Sequence, residues 1–191
     1  GVRLTSNEMI HIGDWITLTD GSIDGTVQDI TLTTVKVKQG DNSIATVSPQ
    51  TLVNGSFLNW KDMLEGGGRR VKKVVYFDVR SIRIADDNLK KNLLAKGYVK
   101  EEDLKGDVIN IGLFRHYMEH YLSKREDVNP KMTLLLRQLD ATQAGVPIEF
   151  YFFLSNKDWV PYEHSTSDIL EHVYAYAHEF GLKIYQQNPV Q

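Results

Sequence analysis

At 191 residues, with 22 Lys and Arg against 25 Asp and Glu and a net charge of −3, the chain suits one large domain or two small ones and lacks the basic surplus of a nucleic-acid binder. It has no cysteine, which excludes a disulfide framework, a Cys-based zinc site and a thiol nucleophile, and a chain this long folds without such staples because it buries roughly two-thirds of its extended surface. The longest apolar run, Phe150 to Leu154, is too short to span a bilayer, no signal peptide is visible, and the chain reads as a soluble piece.

Residues 11–60 read as short strands broken by turns: Trp15 to Thr19, Ser22 to Thr31, Thr33 to Lys38, Ser43 to Val47 and a brief Thr51 to Val53. Asp20-Gly21 predicts a two-residue hairpin turn, and Val35 and Val37 alternate with Lys36 and Lys38 in the period of a half-buried strand. Gly25, inside the second strand, predicts a bend or bulge that lets a long strand curl. Several short strands at this spacing predict a small five-stranded, Sm-like β-barrel over residues 1–65.

Gly66-Gly67-Gly68-Arg69-Arg70 reads as a linker, because glycines leave the backbone free to change direction. Beyond it, residues 71–191 predict a strand over Val71 to Ile84, a polar helix-turn insert at about 86–107 with Leu89, Leu93 and Leu94 on one side, and a helix carrying Leu113, Phe114, Tyr117, Met118, Tyr121 and Leu122 on one face. Strands follow at Met132 to Leu139 and Val146 to Leu154. A second helical stripe runs from Ile169 to Phe180, starting at Ser165-Thr166-Ser167-Asp168, with Gly181 as its C-cap and Leu182 to Tyr185 as a last strand. Strand, helix, strand, strand, helix, strand is the order of a ferredoxin-like αβ domain. The fold class is therefore α+β.

Chemistry-bearing motifs are sparse. His116-Tyr117-Met118-Glu119-His120 matches the H-x-x-E-H pattern of inverted zincins, and histidines four apart on a helix share a face. No third ligand is marked in the sequence, and both histidines flank an apolar stripe, so His116 and His120 read as boundary residues. His164, His172 and His178 share no helical face and read as solvated. Gly66 to Arg70 lacks the P-loop order and precedes a strand, so it reads as a hinge. Phe150-Tyr151-Phe152-Phe153 could stack bases, but basic neighbours are absent from the sequence around it and Glu149 adjoins it, so core or subunit interface is the reading. No catalytic centre, metal or cofactor is expected.

The order and spacing of Gly13-Asp14-Trp15-Ile16, Gly25-Thr26-Val27, Thr33-Thr34, Asp41-Asn42, Pro49 and Asn59-Trp60 resembles the cytoplasmic part of MscS-type mechanosensitive channels. Asn59-Trp60 with Gly67-Gly68-Arg69-Arg70 looks most like the YbdG-type (miniconductance) branch, and Pro147-Ile148-Glu149, Trp159, Tyr162-Glu163 and Phe180-Gly181-Leu182 extend the likeness. The resemblance implies a β domain and an αβ domain below the inner membrane, self-assembled as a homoheptamer into a hollow cage. It also implies pore helices ahead of residue 1 that answer hypo-osmotic stress, while the acidic charge balance argues against a nucleic-acid partner. Gln50 stands where family members often carry Asn, and the 86–107 insert is longer than in the simplest members. The alternatives are a soluble Sm-like interaction module and a zinc hydrolase using His116, Glu119 and His120.

Overall fold

The structure, a computed structural model, describes residues 9–187 and divides into two compact units, residues 1–66 and 67–191. In the first, β1 (Trp15–Leu18), β2 (Asp24–Ile30), β3 (Val35–Gln39), β4 (Ile44–Val47) and β5 (Phe57–Asn59) form one antiparallel sheet in the order β4-β3-β2-β1-β5. The last strand thus returns beside the first. Among the described residues the ladders run through these five strands, with none between β4 and β5. Alternate residues Ile16 and Leu18, Val27, and Val35 and Val37 turn inward onto Ile10, Ile23, Val47 and Leu52.

Residues 51–53, expected as a strand, belong instead to helix α1 (Pro49–Asn54). Ser48 caps it by accepting a hydrogen bond from the Thr51 N–H at 3.2 Å, and Pro49 fills the first helical position, where its fixed φ suits a helix and its missing N–H costs nothing. The bulge in β2 falls between Val27 and Asp29 rather than at Gly25. Gly25 serves close approach: a Cβ there would run into the Lys38 carbonyl and lie 2.9 Å from the Gln39 Cα on β3. The β1–β2 connection is also longer than two residues, since Leu18 N donates to Ile23 O at 2.9 Å. A short helix α2 (Lys61–Glu65) closes the unit.

The second unit starts with β6 (Arg69–Phe77), so Arg69 and Arg70 lie in a strand rather than in a linker. The strand stops at Phe77 instead of Ile84 because Asp78 accepts the Arg80 N–H at 2.9 Å and caps a single 3-10 turn over Val79–Ser81. With β7 (Leu135–Gln138) and β8 (Val146–Leu154) it forms an antiparallel sheet in the order β6-β8-β7. The expected fourth strand is reduced to a bridge between Phe77 and Ile184, flanked by Asp78 N to Lys183 O and Tyr185 N to Tyr76 O, both 2.8 Å. That bridge lies on the free side of β6, which keeps the ferredoxin-like order.

Helices α3 (Asp87–Ala95), α4 (Asn110–Lys124) and α5 (Trp159–Ala177) supply the rest of the core. Phe114, Met118 and Leu122 of α4 and Ile169, Val173 and Ala177 of α5 bury against Val71, Val75, Phe150 and Phe152. Leu89 and Leu93 of the 86–107 segment join the same core, while Leu94 stays 37% exposed. Helix α5 begins six residues before Ser165, after Asp158, with Pro161 in its first turn where backbone N–H groups lack acceptors anyway. Thr166 and Ser167 therefore sit inside the helix, each donating its hydroxyl to the carbonyl four residues back at 2.8 Å. Gly181 ends the segment at φ 74°.

Candidate functional site

Four signature residues, Gly13, Asp14, Asn59 and Trp60, meet at one end of the first sheet. Gly13 takes a φ of 97°, which turns the chain into β1 and lets its N–H reach Val27 O at 2.8 Å. Asp14 Oδ2 accepts from the His11 N–H at 2.8 Å and from Asn59 Nδ2 at 2.9 Å. The same Asn59 amide donates to Met9 O at 3.1 Å, and its oxygen accepts the Lys61 N–H at 3.0 Å. Two donors and one acceptor on a short planar side chain are what this position uses; an aspartate would set two carboxylates together.

Trp60 completes the clamp. Its ring stacks on Trp15 with centroids 5.0 Å apart, its N–H reaches Thr17 Oγ1 at 2.9 Å, and Trp15 Nε1 donates to Asp24 Oδ1 at 2.6 Å. The chain arriving at Met9 is thereby fastened to β5 and β1 by charge-assisted bonds and a stacked aromatic pair.

The remaining first-unit signature residues shape turns. Thr34 and Thr31 bond through their hydroxyls at 2.8 Å and hold the β2–β3 tip, where Leu32 is almost wholly exposed. Asn42 occupies the left-handed region at φ 72° between β3 and β4, a conformation asparagine tolerates. Pro49 starts α1.

Gly67 and Gly68 do not act through backbone freedom, since neither has a positive φ. Each occupies a place a side chain would crowd. A Cβ at Gly67 would meet Met132 Sδ at 3.1 Å, and one at Gly68 would meet Leu154 O and Phe153 Cβ at 3.0 Å. Asn129 Nδ2 donates to Gly67 O at 2.9 Å. Arg69 lies 4.3 Å over the Tyr162 ring and donates to Lys157 O at 3.2 Å, while Tyr162 donates its hydroxyl to Arg70 O at 2.6 Å. Burial pushes the Tyr162 phenol above its ordinary value.

The aromatic run of β8 splits by parity. Phe150 and Phe152 are core, whereas Tyr151 and Phe153 share the other face in an edge-to-face pair. Basic side chains absent from the surrounding sequence arrive across the ladder, because Arg70 pairs with Phe153 and Lys72 with Tyr151. Glu149 is neutralised by Arg137, whose Nε donates at 2.9 Å.

His116 and His120 are exposed on α4, and His116 lies 3.8 Å from Asp103. Among the described residues no group of three or more His, Asp or Glu side chains is placed to hold a metal ion. His172, by contrast, is not simply solvated. It is sandwiched between Tyr121 and Tyr176, with centroids at 3.7 and 3.8 Å, and its Nε2 lies 2.8 Å from the Tyr117 hydroxyl. Burial, aided by the Arg125 guanidinium, lowers its pKa to about 4, so the ring is neutral at pH 7, and which of Nε2 and the Tyr117 hydroxyl donates is set by the ring's tautomer. Desolvation among neighbouring phenols holds Tyr117 well above the ordinary tyrosine range. The spacing of the histidines gives no sign of this stack, which exists only once α4 and α5 are side by side.

Residues 1–62 match the family model for the mechanosensitive ion channel beta-domain. Among solved structures the chain is similar to Arabidopsis thaliana MSL1, with a TM-score of 0.68 and 11% identity over 96% of this chain and 56% of that one. It is also similar to Helicobacter pylori MscS in its closed state, with a TM-score of 0.64 and 12% identity over 98% of this chain and 61% of that one. At these identities the likeness is one of fold, and the chain spans little more than half the length of either structure. Among the described residues no helix is long and apolar enough to cross a membrane.

Proposed function

We propose, from the match of residues 1–62 to the mechanosensitive ion channel beta-domain, that the chain belongs to the MscS-type channel family and forms the cytoplasmic cage of a channel that opens under hypo-osmotic stress. Pore helices ahead of residue 1 carry the current in this reading. The chain itself contributes walls rather than chemistry, with no enzymatic role, and self-associates as a homoheptamer on the cytoplasmic side of the inner membrane. Asn59-Trp60 followed by Gly67-Gly68-Arg69-Arg70 supports assignment to the YbdG-type branch.

The observation that carries the proposal is the clamp of Asp14, Asn59, Trp15 and Trp60. Tension in a membrane helix reaches a cage through the segment that joins them. Here the chain at Met9 to Asp14 is anchored by side-chain hydrogen bonds to the last strand rather than by one turn. Such a joint passes displacement to the sheet instead of absorbing it.

The test is downshock survival of cells stripped of their own mechanosensitive channels and expressing the full parent reading frame. Rescue is expected. Membrane-inserted protein that gives no rescue at any expression level would overturn the proposal.

A further inference from the structure

Strand β8 is apolar at nearly every position, on both of its faces. A strand with one wet face alternates, as Val35 to Lys38 do, whereas a near-continuous apolar run belongs to a strand covered on both sides. Helices α4 and α5 cover one face of the second sheet. On the other face, Val74, Tyr76 and Leu135 are 37%, 38% and 39% exposed, on the side of Tyr151 and Phe153. That face is also basic. Arg70 and Lys72 stand on it, and its one carboxylate among the three strands, Glu149, is buried and bonded to Arg137.

Helix α5 carries the opposite charge on the opposite side of the unit. Its inner stripe of Ile169, Val173 and Ala177 packs towards the sheet, so Val160, Glu163, Ser167, Glu171 and Tyr174, at steps of three and four, point away from it. Val160 and Tyr174 are exposed there. The helix has no Lys or Arg, and Glu163, Asp168 and Glu171 are all exposed. Among the described residues, neither these three acids nor Arg70 and Lys72 have an ion-pair partner.

We infer that the open face of the second sheet in one copy of this chain seats the outer face of α5 of a second copy. The contact sets Arg70 and Lys72 against the α5 carboxylates, and Tyr151 and Phe153 against its exposed apolar side chains. It rests on the self-assembly proposed above and names the surfaces that perform it. Seating a helix gives β8 the second cover that its sequence calls for. Because the two faces lie on opposite sides of one unit, the contact is head-to-tail. Such contacts close into a ring when the rotation permits, whereas a like-to-like contact stops at a dimer.

Charge reversal tests this without touching either core. The experiment is sedimentation velocity of the 191-residue chain and of two variants, Arg70→Glu with Lys72→Glu and Glu163→Lys with Glu171→Lys, each alone and mixed in equal amounts. Wild type is expected to self-associate, and each variant alone to do so at least about ten-fold more weakly, because like charges then meet. Mixing the two should restore association, since the reversed sheet of one meets the reversed helix of the other. A variant weakened by misfolding gains nothing from mixing, and amide spectra report the fold of each. Undiminished association of both variants would overturn the inference and leave the cage reading to stand on another interface. Folded variants that associate weakly and are not restored by mixing would also overturn it. So would a wild-type chain that stays monomeric up to about 1 mM; the downshock assay judges the cage reading separately.

Discussion

The core of the first unit is built from aliphatic side chains such as Ile10, Ile16, Val35 and Leu52, while its two tryptophans lie half-exposed in the clamp. The second unit instead buries Phe77, Phe114, Phe150, Phe152 and Phe180 completely. The first gains its shape from turn chemistry and side-chain hydrogen bonds at its rim, with Gly13, Gly25, Asn42 and Ser48 each setting one bend, approach or cap. The second gains it from bulk: aromatic rings interlock between one sheet and three helices, and turns matter less. The difference teaches where each unit is vulnerable. The small unit should fail at its backbone and its polar contacts, and the large one at its rings.

The largest effect should come from Phe150→Ala in the second unit, which opens a cavity beneath β8 and costs about 3–5 kcal/mol. Urea unfolding followed by backbone amide signals should show second-unit residues lost earlier and first-unit residues unmoved. Gly25→Val is the counterpart in the first unit, forcing β2 from β3 at a cost of about 3 kcal/mol, with the Trp15–Trp60 fluorescence transition shifting alone in a Trp159→Phe background. If either change moved both transitions equally, the two units would not be separate in their stability.

Asn59→Ala breaks the bonds to Asp14 and Met9 while leaving both cores intact, for about 1–2 kcal/mol. Its mark should be faster hydrogen exchange confined to residues around the clamp. The smallest effect concerns pH. His172 has a folded-state pKa near 4 against 6.5 when free, so between these values the unfolded chain binds a proton that the folded chain does not. Its contribution is full above pH 6.5 and is lost as pH falls towards 4, by about 1 kcal/mol, since solvent reaches part of the ring. His172→Phe should flatten that slope in the second unit. An unchanged slope would place the acid sensitivity elsewhere.

Much of this architecture was legible because it follows local periodicity. The alternation of Val35 to Lys38, the stripe of Phe114, Met118 and Leu122, and the Gly181 cap all announce themselves within a few residues. What was not legible depends on partners distant in sequence. The N-cap of Ser48 with Pro49 was a local sign of α1, yet three apolar-leaning residues beyond it favoured a strand. Arg70 and Lys72 stand beside Tyr151 and Phe153 only through the β6–β8 register. The His172 stack needs two helices brought together. The clamp was half legible: Asp14 and Asn59 drew notice as family signatures, but their bond spans 45 positions.

The most direct test of the central claim is patch recording of the full-length protein in membranes free of other mechanosensitive channels, comparing wild type with Asn59→Ala. The account predicts stretch-activated current in wild type, and in Asn59→Ala a shifted tension threshold with unchanged single-channel conductance, because it assigns the clamp to force transfer and the pore to helices ahead of residue 1. Absence of stretch-activated current from correctly inserted wild-type protein would contradict it.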